Sequence, residues 1–457
     1  MPKIRHRDLT QGNVTKNLII MSIPTMFGFF AQTLYDFIDM IWIGKISAQA
    51  VAGMAIFSTL FWTADIFNEI IGISSISLIS QNYGSGKKDK ARQVIEQAIS
   101  YKFLVSVLMA IIFILLLDPI SYFFTHDAEV IKNIQSYGYI RSLFLPFMFS
   151  SFSVNTALRC IGDARTPMII MMLTALLNII LDPLLMFEQI PGTSIPGLGL
   201  GIQGAAIATV ISTFLAFAIG IFILLTGQSY LQISFTGLFQ LSKNNIKKLS
   251  TIGLPTGMEM FFRQGGQFIL LKFISLYGTA ALATFGIGMR LFNLVFLPLL
   301  GLALGGSAVT GQNLGANQIG RTRQAARSAV FLGIVATGII TIIAVIFPEQ
   351  VIHLFIKQTN VVSIGKQMIY IISPSFIAVA ISMGLNTVFA GSGYNLPYLI
   401  ASITSRWLFQ IPFSAFVVYI FEFDIQFIWI GFLIAEFIEL SVIIFYYHQG
   451  NWKTNRV

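Results

Sequence analysis

Long, almost continuous apolar segments alternate with short polar loops along nearly the whole chain. Segments 103–117, 168–180 and 329–347 carry no charged residue. A helix needs roughly 20 mainly apolar residues to cross the hydrocarbon core of a bilayer, and its backbone groups pair within the segment. A membrane β-barrel would instead show short segments of alternating polarity. The pattern therefore predicts an all-α integral membrane protein.

The apolar segments predict twelve transmembrane helices. Their approximate bounds are 18–43, 51–82, 94–117, 130–158, 165–187, 201–226, 246–273, 280–311, 325–347, 362–390, 397–420 and 426–448. The composition agrees with this prediction, because 55% of the residues are hydrophobic and only 10% are charged. Soluble domains carry about 25% charged residues.

The basic residues are distributed unevenly between the two predicted faces of the membrane. One face has only Lys45, Lys132, Lys357 and Lys366, whereas the tails and the dense loops at 87–92, 243–248 and 321–327 lie on the other. By the positive-inside rule, both termini are cytoplasmic. This topology accounts for the net charge of +9 without a nucleic-acid partner. The polar start of the chain lacks signal-peptide features, so we expect a multi-pass protein of the cell membrane.

The two halves of the chain resemble each other at one fixed separation. Three pairs of matching residues are each 231 positions apart: Pro24 and Pro255, Gln81 and Gln312, and Asn155 and Asn386. Each half holds six predicted spans, so the repeats are parallel and are expected to surround a central cavity. We predict an N-terminal six-helix lobe at 1–228, a bridging segment at 229–250 and a C-terminal six-helix lobe at 251–457.

A few acids interrupt the apolar segments of the first half. A charge at the centre of a membrane helix costs at least about 2.5 kcal/mol, so each is a functional hypothesis by default. Asp39 and Asp36 lie on the first span. Asp182 and Asn178 are four residues apart on the fifth span and therefore share a helix face. Carboxylate and amide oxygens suit a proton relay or a sodium ion, so these residues are the candidate cation-coupling site.

Charges in the second half have a different expected role. Glu259 and Arg263 lie four apart on the seventh span, and we predict an intrahelical ion pair with a conformational role. Exchanging the two residues should then retain more transport than neutralising either one. Sequence alone leaves the roles of Asp65, Glu69, Glu436 and Glu439 open.

Neither a catalytic nor a nucleotide site is evident in the sequence. The four histidines are scattered over tails and loops, and Cys160 is the only cysteine. The run from Gly84 to Lys87 lacks the spacing of a phosphate-binding loop. These features disfavour a lipid-modifying membrane enzyme and ATP-driven transport, and we expect no cofactor.

Several motifs together resemble the multidrug and toxic compound extrusion (MATE) family over nearly the whole chain. They are Asp39-Met-Ile-Trp-Ile-Gly44, Gln81-Asn82-Tyr83-Gly84, Asn178-Ile-Ile-Leu-Asp182-Pro183 and Gly204-Ala-Ala-Ile-Ala-Thr209. The resemblance implies efflux of cationic or amphipathic compounds against protons or sodium ions by alternating access. It also adds Thr209 to the candidate coupling residues.

Residues for the substrate cavity follow partly from this resemblance. Tyr139 and Arg141 match a family pattern on the fourth span. Arg290 on the eighth span resembles a family arginine, and we expect it either to line the cavity or to pair with Glu259. Methionine suits promiscuous surfaces and aromatic faces attract organic cations. On that chemistry, the further candidates are Met54, Phe61, Met172, Met258 and Met289.

The chain resembles the DinF-like branch more than the NorM-like branch. Arg263 stands where NorM-like members have a carboxylate, and segment 362–390 contains no aspartate. Coupling is therefore expected in the first half, with a proton favoured over sodium. We expect a monomer in contact with membrane lipid and small-molecule organic cations. The alternative transporter is a flippase for lipid-linked oligosaccharides, which would need a more cationic cavity and usually has more spans.

Overall fold

The computed structural model describes residues 8–455 and 457, and this part of the chain is almost entirely helical. Lys3, Arg5, Arg7 and Arg456 of the predicted cytoplasmic tails lie outside it. The α-helices are α1 Val14–Gly44, α2 Ala48–Gly84, α3 Lys88–Phe124, α4 Ala128–Leu143, α5 Leu145–Cys160, α6 Arg165–Met186, α7 Ile202–Thr226, α8 Lys243–Ser275, α9 Thr279–Gly315, α10 Ile319–Ile346, α11 Pro348–His353, α12 Thr359–Ser392, α13 Leu396–Ser402, α14 Ile411–Tyr419 and α15 Gln426–Gln449.

The all-α prediction is confirmed for the described residues, which contain no strand. Among them, nine helices are individually long and apolar enough to cross a membrane: α1, α2, α3, α6, α7, α9, α10, α12 and α15. The seventh predicted span is α8, which carries Glu259, Arg263 and Lys272. The fourth and eleventh predicted spans are each divided into shorter helical pieces.

Proline explains where these two spans are divided. Phe144 separates α4 from α5, and Pro146 occupies the first turn of α5, where the missing N–H costs least. In the eleventh span, a π-helical segment, Ile403–Gln410, joins α13 to α14, and Pro412 lies in the first turn of α14. Single π-helical turns inside α-helices are frequent at functional sites.

The chain packs into two compact units, which are described separately. The first contains Phe27–Thr251, and the second contains Leu9–Met26 together with Ile252–Val457. The apolar core of the first unit includes Phe57, Leu117, Ile134, Tyr137 and Ile202. The second unit buries a larger cluster of residues from α1, α8, α9, α10 and α12, together with residues of α14 and α15.

The beginning of α1 packs within the second unit. A Cβ atom on Gly301 of α9 would lie 2.1 Å from Met26, and one on Gly305 would lie 2.8 Å from the backbone of Met21. These glycines therefore let the two helices approach closely. Ahead of α1, the carbonyl of Leu9 accepts a 3.1 Å hydrogen bond from Asn313. The part of α1 up to Met26 belongs to the second unit, and the part from Phe27 onward belongs to the first. The repeat does not predict this division.

Candidate functional site

Small residues bring α7 directly against α6 in the first unit. A Cβ atom on Gly204 would lie only 2.6 Å from the carbonyl group of Leu185, so no larger residue fits without a shift of the helices. Ala205 and Ala208 on the same helix are fully buried. This close approach places Thr209 of α7 beside Asn178 of α6.

Asn178 links two of the candidate coupling residues. Its amide is assigned in the orientation that satisfies both of its neighbours. In that orientation the Asn178 nitrogen donates to Asp182 Oδ2 at 3.2 Å, and its oxygen accepts from the Thr209 backbone N–H at 3.2 Å. Asn178 is 1% exposed and Asp182 is 0% exposed. The predicted face shared by Asn178 and Asp182 is therefore formed and enclosed.

Asp39 of α1 lies near Asp182 and completes the acidic part of this site. The two carboxylates are close enough to interact electrostatically, and both interact with Arg141 of α4. Asp39 is 4% exposed, and its Oδ1 atom has no hydrogen-bond partner among the described residues. A buried carboxylate oxygen without a donor is costly, so the site is suited to take up a proton or another cation.

Arg141 is the cation of this group, but it forms no ion pair within the described part of the chain. Its guanidinium lies over the rings of Phe61 and Tyr137, 5.5 and 5.7 Å from their centroids. Its Nε atom is buried without a partner. Gly138 explains how α4 packs there, because a Cβ atom on it would lie 2.8 Å from Phe57.

The charges of this cluster of Asp36, Asp39, Asp182 and Arg141 do not balance when all its members are ionised. Asp36 is more exposed than Asp39 but also interacts electrostatically with Arg141. Three carboxylates therefore face one guanidinium. Like charges at close range repel each other, and the cluster therefore has an excess of negative charge that a cation or a proton would offset.

The predicted cavity residues do not form a single group within either unit. Tyr139 donates a 2.8 Å hydrogen bond to Asp118 of α3 instead of joining the acids. Met54 and Phe61 pack against the apolar core of the first unit, and Met172 is exposed on α6. Met258 and Met289 belong to the second unit. For all of these residues, the role in substrate binding stays a prediction.

The predicted pair between Glu259 and Arg263 is present in the second unit as part of a larger buried network. Arg263 also donates to Glu439 at 3.0 Å, and Arg406 lies 2.8 Å from Glu436 and 3.6 Å from Glu439. Glu259, Glu436 and Glu439 are each at most 5% exposed. Sequence reasoning left Glu436 and Glu439 unassigned, although two glutamates three positions apart in an apolar span were a usable signal.

Arg290 does not join this network. It is exposed, and its guanidinium lies 5.4 Å from the centroid of the Phe355 ring. Among the described residues, the ion pair of Glu259 is with Arg263 and not with Arg290. The expected pairing of Arg290 with Glu259 is therefore wrong for this structure, because Arg263 on the same helix is the partner of Glu259. The alternative, that Arg290 lines the cavity, stays a prediction.

A further polar cluster in the first unit centres on Lys102 of α3. Its ammonium group donates to Asn68 Oδ1 at 2.8 Å, and the Asn68 amide donates to Asp65 at 2.8 Å. Lys102 is only 1% exposed. Asp65 is therefore one end of a chain of hydrogen bonds that runs through Asn68 to Lys102 and joins α2 to α3. Glu69 interacts electrostatically with the same lysine.

Comparison with known proteins identifies the family. A family model described as MatE matches residues 24–184 and 255–416, which is most of the chain. The two matched segments begin 231 positions apart, the same separation as the internal repeat. The chain belongs to the MatE family. It is therefore a membrane transporter and not an enzyme, as the sequence predicts.

Curated relatives of this MatE protein match it along nearly their full length. A probable multidrug resistance protein, YoeA, from Bacillus subtilis is 26% identical over 98% of this chain and 96% of the relative. The probable multidrug resistance protein NorM from Thermotoga maritima is 25% identical over 97% of this chain and 94% of its own. The DinF-like branch stays a prediction.

The fold is also that of solved MATE structures. An outward-facing structure of a multidrug resistance MATE family transporter of the MOP superfamily has a TM-score of 0.88 and 22% identity, covering 98% of each chain. The fold class with two six-helix repeats is confirmed by this similarity and by the paired family match.

Proposed function

We propose that the chain is a secondary transporter that exports cationic or amphipathic drug-like compounds in exchange for protons. The names of the curated relatives support multidrug efflux. The observation that carries the coupling proposal is the buried, unpartnered Oδ1 of Asp39 near a second buried carboxylate, Asp182. One guanidinium, that of Arg141, does not balance these acids.

The proposed mechanism uses charge neutralisation at Asp39 and Asp182. A proton arriving from outside removes one negative charge and with it the attraction for a cationic substrate. It also changes the contacts of Asn178 with Asp182 and Thr209. The first helix then bends near Pro24, where its packing passes from one unit to the other. Alternation between the two access states follows this bend.

Available energies are sufficient for such coupling. Each charge moved through 100 mV of membrane potential contributes about 2.3 kcal/mol. Each pH unit of gradient contributes about 1.4 kcal/mol per proton. Both exceed the thermal energy, so together they bias the equilibrium between access states. We place the protein in the cell membrane as a monomer with cytoplasmic termini.

Sodium is the competing ion, because Asp182, Asn178 and Thr209 supply oxygen ligands of the kind it prefers. A reconstituted vesicle assay separates the two ions. Efflux of a permanently charged organic cation is measured with an imposed proton gradient alone and with a sodium gradient alone. The proposal expects the proton gradient to drive efflux. Efflux driven by the sodium gradient alone would reject proton coupling but would not test whether Asp39 and Asp182 form the coupling site.

The same assay tests the residues. Asp39→Asn and Asp182→Asn should each abolish proton-driven efflux. Asp118→Asn is the matched control, because Asp118 is an acid of the same unit that hydrogen-bonds Gln135 and Tyr139 outside the cluster. Full proton-driven efflux by both Asp39→Asn and Asp182→Asn would reject the coupling site. Absence of transport by the wild type under every gradient would reject drug efflux itself.

A further inference from the structure

The segment between α7 and α8 exposes large apolar side chains outside the spanning helices. Phe235, Phe239 and Leu241 are 63%, 75% and 40% exposed. The rings of Phe235 and Phe239 pack edge to face, 5.4 Å between centroids, so they form one apolar projection. Exposed contiguous apolar groups of this kind mark contact surfaces.

The backbone of this segment is held firmly on α3. The carboxylate of Glu96, which is 4% exposed, accepts a 2.7 Å hydrogen bond from the Ser234 N–H. A Cβ atom on Gly237 would lie 2.2 Å from that carboxylate, so glycine is required where the chain passes it. Ser100 of α3 donates to the carbonyl of Leu238. The two phenylalanine rings are therefore presented outward from a fixed support.

Only part of the apolar surface of this segment is covered by the protein. Leu231 and Ile233 are buried at 7% and 3% exposure, whereas Phe235 and Phe239 project outward. Because the segment joins two membrane-spanning helices, it lies at the surface of the bilayer, where such apolar side chains enter the boundary between headgroups and acyl chains.

Positive charge borders the apolar projection. Lys243 and Lys247 are exposed at the start of α8, four residues apart and therefore on one helix face. Lys248 follows directly. The sequence from 228 to 250 contains no aspartate or glutamate. Clusters of lysine beside a membrane attract anionic lipid headgroups.

We infer that Phe235, Phe239 and Leu241, with Lys243, Lys247 and Lys248, form a docking surface for an anionic phospholipid of the adjacent leaflet. The phenylalanines enter the acyl-chain boundary, and the lysines bind the phosphate headgroup. The surface fixes the bridging segment to the membrane while Glu96 fixes it to α3. This interaction is independent of the transported compound and of the coupling ion.

The test uses the full chain with Cys160→Ser and a single fluorophore on Gln240→Cys, beside the projection. Gln228→Cys, exposed in the same segment but distant from the phenylalanines in sequence, is the matched control. Both proteins are reconstituted into vesicles of phosphatidylcholine and phosphatidylglycerol in which either one or the other lipid carries quenching bromines. We expect the fluorophore at 240, and not that at 228, to be quenched preferentially by brominated phosphatidylglycerol.

Two sets of variants separate the lysine and phenylalanine contributions. Each lysine near an anionic surface contributes roughly a fivefold preference, so K243Q/K247Q/K248Q should abolish the preference but retain quenching. F235S/F239S should reduce quenching by both lipids. Quenching no greater at 240 than at 228 would overturn the proposal. So would equal quenching by both lipids in the wild type, or shielding of position 240 that appears only when the protein self-associates.

Discussion

Glu439 of α15 accepts a 3.0 Å hydrogen bond from Arg263 of α8 and also lies 3.6 Å from Arg406 in the π-helical segment. Its carboxylate thus joins three parts of the second unit. Glu439 is 3% exposed, and its two cationic partners each have a second carboxylate, Glu259 for Arg263 and Glu436 for Arg406. Removal of the Glu439 charge therefore weakens two contacts but leaves each arginine with one glutamate.

Replacing Glu439 by glutamine tests this network. The change keeps the side-chain shape but removes the charge between two arginines, each of which keeps one glutamate. We therefore expect a loss of about 1.5–3 kcal/mol of stability from the weakened charged hydrogen bonds. Unfolding of the purified protein in detergent measures it. Glu349→Gln is the control, because its ion pair with Lys366 is exposed and should matter little. Equal effects of the two changes would contradict a structural role for the network.

The exchange Glu259→Arg with Arg263→Glu has a different expected result from the one that sequence alone predicts. An isolated pair would tolerate reversal. In the structure, a glutamate at 263 would face Glu439, and the new arrangement would place like charges together. We therefore expect the reversed protein to be no more stable than Glu259→Gln. Recovery of wild-type stability and transport on reversal would show that the contact with Glu439 is unimportant.

A substitution at Gly204 tests the packing that positions the proposed coupling site. An alanine there places a methyl group 2.6 Å from the Leu185 carbonyl and should push α7 from α6, which costs about 1–3 kcal/mol. It should also weaken proton coupling, because Thr209 moves away from Asn178. Gly338→Ala on α10 is the control, since nothing lies within 4 Å of its added Cβ. A thermal unfolding midpoint as high for Gly204→Ala as for Gly338→Ala would contradict the close approach.

Orientation in the membrane is tested by cysteine labelling in a Cys160→Ser background. Lys88→Cys and Gly320→Cys occupy exposed positions in or beside the densest basic loops. Both should resist an impermeant thiol reagent added outside intact cells. Ser194→Cys, exposed in the loop between α6 and α7, should react readily. Labelling of Lys88→Cys or Gly320→Cys as fast as Ser194→Cys would show that the predicted orientation in the membrane is wrong.

Much of the fold could be predicted because lipid imposes simple rules on the sequence. The lengths of the apolar segments predicted the membrane spans, and the constant separation of matching residues predicted the internal repeat. Isolated acids such as Asp39 and Asp182 were recognisable because charge is rare in such segments. Their closeness across α1 and α6 depends on packing, as does the position of Arg141 over Phe61 and Tyr137.

Other features required the three-dimensional structure. Glu439 and Arg263 are 176 positions apart, and no local pattern relates them. The pairing of Lys102 with Asn68 joins α2 to α3 in the same way. The division of α1 after Pro24 depends on glycines of α9 that approach Met21 and Met26. Sequence periodicity describes the faces of single helices, whereas these contacts depend on which helices become neighbours.

Proton release on substrate binding would show directly whether Asp39 and Asp182 exchange a proton for a cationic compound. The purified protein in weak buffer with a pH indicator is mixed with a permanently charged organic cation, which cannot itself exchange protons. We expect the wild type to release protons as the cation binds, and Asp39→Asn and Asp182→Asn to release far fewer or none. Asp118→Asn should release as many as the wild type. Undiminished release by both Asp39→Asn and Asp182→Asn, or binding without any release by the wild type, would contradict proton exchange at these two acids.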